Sequence, residues 1–183
     1  LVVFETVGVL ERSGMELLSS KLERADRLVE IASRAGYALW QLQTLEGALA
    51  QYFVLVAQAT KGMGEEAGNA LFEKANSGTF GATITKLRKS GKLSPGLEGR
   101  FQTLLTERNW LVHRSRTTSG HAIKSDGAFH ELLDRLDRIA DETSLLLREI
   151  GKLAEIFVLS SGVPKATIDQ LAEELVEKWV GGN

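Results

Sequence analysis

The sequence predicts an all-α protein, an up-and-down antiparallel bundle of four to five main helices. Three observations carry that prediction. Apolar residues recur every three or four positions through almost the whole chain. No segment alternates with the period of two expected of a half-buried strand, and both prolines stand where helices begin. A length of 183 residues suits one domain with enough chain to bury a core.

From Ser19 to Thr60 the stripe Leu22, Leu28, Ile31, Ala35, Leu39, Leu42, Leu45, Leu49, Phe53 and Val56 predicts one long helix. Gly36 and Gly47 weaken that helix without breaking it. Lys61-Gly62-Met63-Gly64 predicts a loop. Two short helices should follow, Glu65 to Ala75 and Phe80 to Lys89, separated at Asn76-Ser77-Gly78. Ser94-Pro95 places a capping residue before a proline at the first helical position, which opens a helix. That helix should run to about Arg116 and stop before Thr117-Thr118-Ser119-Gly120.

After a loop around Gly127, a long helix should begin near Phe129. Its seam is Leu132, Leu136, Ile139, Thr143, Leu146, Ile150, Leu153 and Phe157, interrupted only by Thr143. Other apolar helices are available to pack on it, so the seam suits a bundle helix better than a dimeric coiled coil. Pro164 begins a final amphipathic helix through Ile168, Leu171, Leu175 and Trp179. Residues 1–14 read as an N-terminal extension or a remnant ahead of the natural start. Residues 15–160 read as the bundle, and 161–183 as a C-terminal amphipathic helix packing on it.

Composition removes several classes of function. With no cysteine there is no disulfide framework, thiolate metal site or cysteine nucleophile, and three histidines make a poor basis for structural zinc. No metal or other cofactor is expected. No apolar run approaches the roughly 20 residues that cross a bilayer. The opening segment carries Glu5 and lacks a basic leader, so it does not read as a signal peptide. A cytoplasmic protein without membrane contact is expected.

The net charge of −2 is uninformative, but its distribution is not. Between Lys86 and Lys124 stand nine basic residues: Lys86, Arg88, Lys89, Lys92, Arg100, Arg108, Arg114, Arg116 and Lys124. Only Glu98 and Glu107 oppose them, so this window carries +7 against −9 elsewhere. A concentrated basic segment in a mildly acidic protein is one form a nucleic-acid-binding face takes, and a solvated helix face balanced by acidic neighbours is the plainer reading.

The helix opened by Pro95 holds the chemistry. On a wheel with Phe101 at zero, Leu97, Leu104, Leu105, Leu111 and Val112 fall within roughly 80° of it, and Arg108 lands among them at about −20°. A guanidinium there needs a partner, because burying it unpaired costs several kcal/mol. Glu46, set among Leu42, Leu45, Leu49 and Phe53, is the expected one. Asn109 and His113 share a polar flank with Gln102, Thr106 and Arg116. Trp110 faces away from the apolar side, where a further helix or a partner subunit should cover it.

The segment Arg108-Asn109-Trp110-Leu111-Val112-His113 resembles the signature of the HEPN superfamily. That signature is an arginine, a polar residue that is often asparagine, and a histidine four to six residues beyond the arginine, on a late helix of a four- or five-helix bundle. Glu107 and Arg114 extend the local likeness. Arg116 with His121, and Arg114 with His121, also satisfy the spacing, but they lack the asparagine and run into Thr-Thr-Ser-Gly. The resemblance implies a HEPN-like fold and, in many members, a metal-independent endoribonuclease.

It assigns His113 as general base or acid on a 2′-hydroxyl, Arg108 as stabiliser of charge on the phosphate, and Asn109 as orienting group. Arg114 and Arg116 stand as supporting residues with Glu46, while Lys86, Arg88, Lys89, Lys92, Arg100 and Lys124 are candidates for binding RNA. The implied setting is toxin, phage defence or stress, with RNA as substrate, a homodimer as the assembly, and an antitoxin or other protein as partner. Where one toxin subgroup has a tyrosine two residues after the histidine, this chain has Ser115. Two further readings stand beside this one: a non-catalytic HEPN-like module binding a nucleotide or protein, and an unrelated bundle whose heptad-like helix mediates assembly.

Overall fold

The computed structural model describes residues 2–181, with side chains from Met15 onward. Six α-helices follow one another: α1 (Val2–Ala57), α2 (Glu65–Asn76), α3 (Phe80–Lys89), α4 (Pro95–Ala122), α5 (Asp126–Ser160) and α6 (Lys165–Val180). There is no strand among the described residues, so the all-α class holds. The caps explain several boundaries. Thr79 accepts a hydrogen bond from the Ala82 amide at 3.2 Å, and Ser94 accepts one from Leu97 at 3.3 Å. Each supplies an acceptor to an amide that the first helical turn leaves without one. Between α3 and α4 the chain turns at Gly91, whose φ of 66° is open to glycine at little cost.

Two boundaries differ from those expected. First, α1 begins at Val2, so it takes in residues 2–14 rather than opening near Ser19. Second, α4 runs on through Thr117-Thr118-Ser119-Gly120 to Ala122. The serine hydroxyls of this stretch find acceptors without leaving the helix. Ser115 donates to the Leu111 carbonyl at 2.6 Å and Ser119 to the Ser115 carbonyl at 2.9 Å, so both are satisfied within the helix.

The chain divides into two compact units, through both of which α1, α4 and α5 pass. The first comprises Leu1–Leu42 with Leu104–Thr143. Its buried residues include Ile31, Ala38 and Leu42 from α1, Leu104 and Leu111 from α4, and Leu132, Leu136 and Ile139 from α5. Arg27 pairs with Glu23 and Asp126, and Arg34 with Glu30 and Asp137. Contacts that advance together along both helices make α1 and α5 parallel here. The short Ile123–Ser125 connection folds α4 antiparallel to α5. Thr143, the one polar residue in the α5 seam, is fully buried, and its hydroxyl donates to the Ile139 carbonyl at 2.6 Å. With its polar atom satisfied inside its own helix, it packs as the apolar residues around it do.

The second unit comprises Gln43–Thr103 with Ser144–Asn183. Here Leu45, Leu49, Ile84, Leu87, Phe101, Leu146 and Ile150 are buried, and Phe80 meets Phe101 edge to face at 6.0 Å between ring centroids. Arg100 pairs with Glu149 at 2.6 Å, which ties α4 to α5. None of the residues of α6 is buried, and Leu171, Leu175 and Trp179 are exposed, where a helix packed on the bundle was expected. Leu22 and Leu28 of the predicted α1 stripe are exposed as well; the core-facing run starts at Ile31.

Phe101 is completely buried in the second unit. Phe101→Ala should destabilise the protein by about 3–5 kcal/mol, the usual cost of deleting a buried aromatic side chain. Urea denaturation measures it, and a loss under about 1 kcal/mol would contradict this packing.

Candidate functional site

In the first unit one flank of α4 borders an open depression of about 480 Å³, lined by Thr106, Asn109, Trp110, His113 and Arg114 together with Arg135 from α5. Helical geometry explains the α4 set. Thr106, Asn109 and His113 are spaced by three and four residues, and Thr106, Trp110 and Arg114 by four and four, so the five residues fall on one side of the helix. Asn109, His113 and Arg114 are exposed, and Trp110 is half-buried.

Arg135 sets the wall of the depression. Its Nε donates to Glu107 Oε2 at 2.7 Å and its Nη2 to Oε1 at 3.1 Å, a bidentate pair across the α4–α5 hairpin. The same guanidinium lies 3.5 Å from the centroid of the Trp110 ring. A planar cation can make both contacts at once: its edge meets the carboxylate and its face meets the indole. The covering expected for Trp110 thus comes from a further helix, α5. Glu107 neutralises part of Arg135, and Arg114 adds a second guanidinium, so the depression is edged by two cations and carries an amide and an imidazole. That set can bind a phosphate through charge-assisted hydrogen bonds and can exchange a proton with a bound group.

The predicted residues are distributed unevenly. Asn109, His113 and Arg114 come together. Arg108 is half-buried and is not among the lining residues; the wheel puts it on the other side of α4. Glu46 is half-buried on α1. Arg116 and Lys124 are exposed in the first unit, outside the lining of the depression.

The other basic candidates lie in the second unit. There Arg88 pairs with Glu98 at 3.5 Å and Arg100 with Glu149, while Lys86, Lys89 and Lys92 are exposed. Lys86, Arg88 and Lys89 also occupy the last turn of α3, where cations stabilise the helix end by a few tenths of a kcal/mol up to about 1. The basic window is therefore shared between two units and has local structural work. His121, set aside with its loop, lies instead on the last turn of α4. Its spacing of seven from Arg114 puts both on one flank.

Arg135 is the site residue that sequence reading missed. Its signal was present but faint: it lies between Leu132 and Leu136 of the α5 seam, and Glu107 is the acidic residue immediately before the motif segment. Among the described residues, no group of three or more histidine, aspartate or glutamate side chains is arranged to hold a metal ion. No described helix is long and apolar enough to cross a membrane.

Because the Arg135 guanidinium stacks on the Trp110 ring, Arg135→Ala and Trp110→Ala should be coupled. A double-mutant cycle in urea should return a coupling of about 0.5–2 kcal/mol. Additive losses would mean that the ring and the guanidinium do not interact. Compared with known protein families, curated proteins and solved structures, the chain matches none of them. The chemistry of the site is therefore read from its own residues.

Proposed function

We propose that the chain is a HEPN-type, metal-independent endoribonuclease whose site is the depression on α4. The observation that carries this reading is the convergence of Asn109 and His113 with Arg114 and Arg135 on one solvent-open surface. An RNA strand supplies its own nucleophile in the 2′-hydroxyl. His113 takes the 2′ proton as the oxygen attacks the adjacent phosphorus. The bond from phosphorus to the 5′-oxygen breaks, that oxygen takes up a proton, and a 2′,3′-cyclic phosphate remains. Arg114 and Arg135 stabilise the charge that builds on the phosphate oxygens, and Asn109 orients the phosphate or the imidazole. Trp110 offers part of a ring face to a base, as aromatic platforms do in single-strand binding. Within this reading the assembly is a homodimer, the setting is toxin, phage defence or stress, and the protein works in the cytoplasm.

One observation favours a second reading, a non-catalytic HEPN-like binding module. Arg108 does not line the depression, although the resemblance gives it the charge-stabilising role. A site with binding groups but without that arginine could hold a nucleotide or a phosphorylated partner and leave it intact.

Cleavage of a mixed RNA pool by purified protein in excess EDTA separates the two. The nuclease reading expects cyclic-phosphate ends and a loss of about 10²-fold or more in His113→Ala, in keeping with removal of a general base. RNA binding without cleavage, weakening steeply with added salt, supports the binding module. Equal cleavage by both proteins removes His113 from the chemistry.

A further inference from the structure

Most of the apolar side chains of α1 beyond Ile31 face the core, but the segment from Met15 to Ala32 carries a second, separate stripe. Met15, Leu18, Leu22, Ala25, Val29 and Ala32 follow one another at steps of three, four, three, four and three residues. All six are exposed, with Val29 at 69% and Met15 at 65%. On a helical wheel this stripe lies roughly opposite the buried run Ile31, Ala38 and Leu42. The two faces of α1 are therefore distinct. One packs within the first unit, and the other carries the 3.5-residue period of a coiled-coil seam.

We propose that this stripe is the seam of a parallel, in-register coiled coil with α1 of a second copy of the chain. The flanking charges choose both the occupant and the orientation. With Met15, Leu22 and Val29 at one core position of the heptad and Leu18, Ala25 and Ala32 at the other, Lys21 and Asp26 occupy the two positions that border the seam. Both are exposed. In a parallel pair, a residue at the first of these positions meets the residue five further along on the other helix. Lys21 then faces the second copy's Asp26, and by symmetry Asp26 faces the second copy's Lys21. An antiparallel pair sets each flank against its own kind and forfeits both contacts. The surface is thus complementary to itself, as a two-fold interface requires. The apolar face of α6 has no such pattern: with Ile168 and Leu175 at one core position and Leu171 at the other, the bordering positions set Glu174 against Trp179 and Thr167 against Ala172, with no pair of opposite charges.

The absence of cysteine makes the test direct. A Leu22→Cys variant of the full chain, mildly oxidised, should form a disulfide-linked dimer, because the two Leu22 positions meet only when the helices are parallel and in register. Glu23→Cys, which points away from the seam, should not. Sedimentation equilibrium of the unaltered chain should show a concentration-dependent dimer, and Leu22→Asp should weaken it by at least about tenfold. Lys21→Glu should weaken it roughly two- to tenfold, with Asp26→Lys in the same chain restoring it. That rescue cannot arise from misfolding. A chain that stays monomeric overturns the proposal. So does a dimer that cross-links through a Trp179→Cys variant of α6 but not through Leu22→Cys.

Discussion

The contact on which the candidate site depends is the grip of Arg135 on Glu107 and Trp110. It joins α4 to α5 across the hairpin, and it fixes which side of α4 is left to solvent. A half-exposed ion pair alone contributes little, about 1 kcal/mol or less. The stacked ring adds a comparable amount and, more importantly, a preferred geometry. With Trp110 held under the guanidinium, Asn109 and His113 on the neighbouring turns are left at the rim of the depression rather than against α5. The site is a by-product of helix packing: the residues that dock the two helices also supply its floor and one of its cations.

The bundle achieves this with ordinary means. The α5 seam is buried from Leu132 to Ile150, and Thr143 joins it because the hydroxyl bonds backward to the Ile139 carbonyl. Arg27 and Arg34 of α1 reach aspartates on α5, so charge as well as apolar spacing aligns those helices. Each arginine is held further toward its charged form, Arg27 above all by its hydrogen bond to Asp126 and Arg34 by its hydrogen bond to Glu30. These guanidiniums are charged at any ordinary pH, so the contacts act on alignment rather than as a switch.

Much of the architecture was legible in the sequence because periodicity and caps report local forces. The stripe from Ile31 to Val56, the seam of α5, the Ser94-Pro95 start and the bounds of α3 all follow from such signals. What was not legible depended on tertiary context. Thr117 to Gly120 has the composition of a loop, yet α4 continues through it, with its serine hydroxyls satisfied one turn back. Leu22 and Leu28 share the period of the core residues but stand on a stretch of α1 where they remain exposed. At the site, the wheel brought Asn109 and His113 together and set Arg108 apart from them. It could not supply Arg135, because that residue reaches the depression only through the hairpin.

The most direct test of the claim that this depression receives RNA is the emission of Trp110 during an RNA titration, with Trp40→Phe and Trp179→Phe removing the other two tryptophans. Binding there should change Trp110 emission in step with an independent anisotropy signal from labelled RNA, and both changes should fade together as salt rises. RNA that binds to saturation while Trp110 emission stays constant would place the nucleic acid elsewhere on the protein and contradict the account.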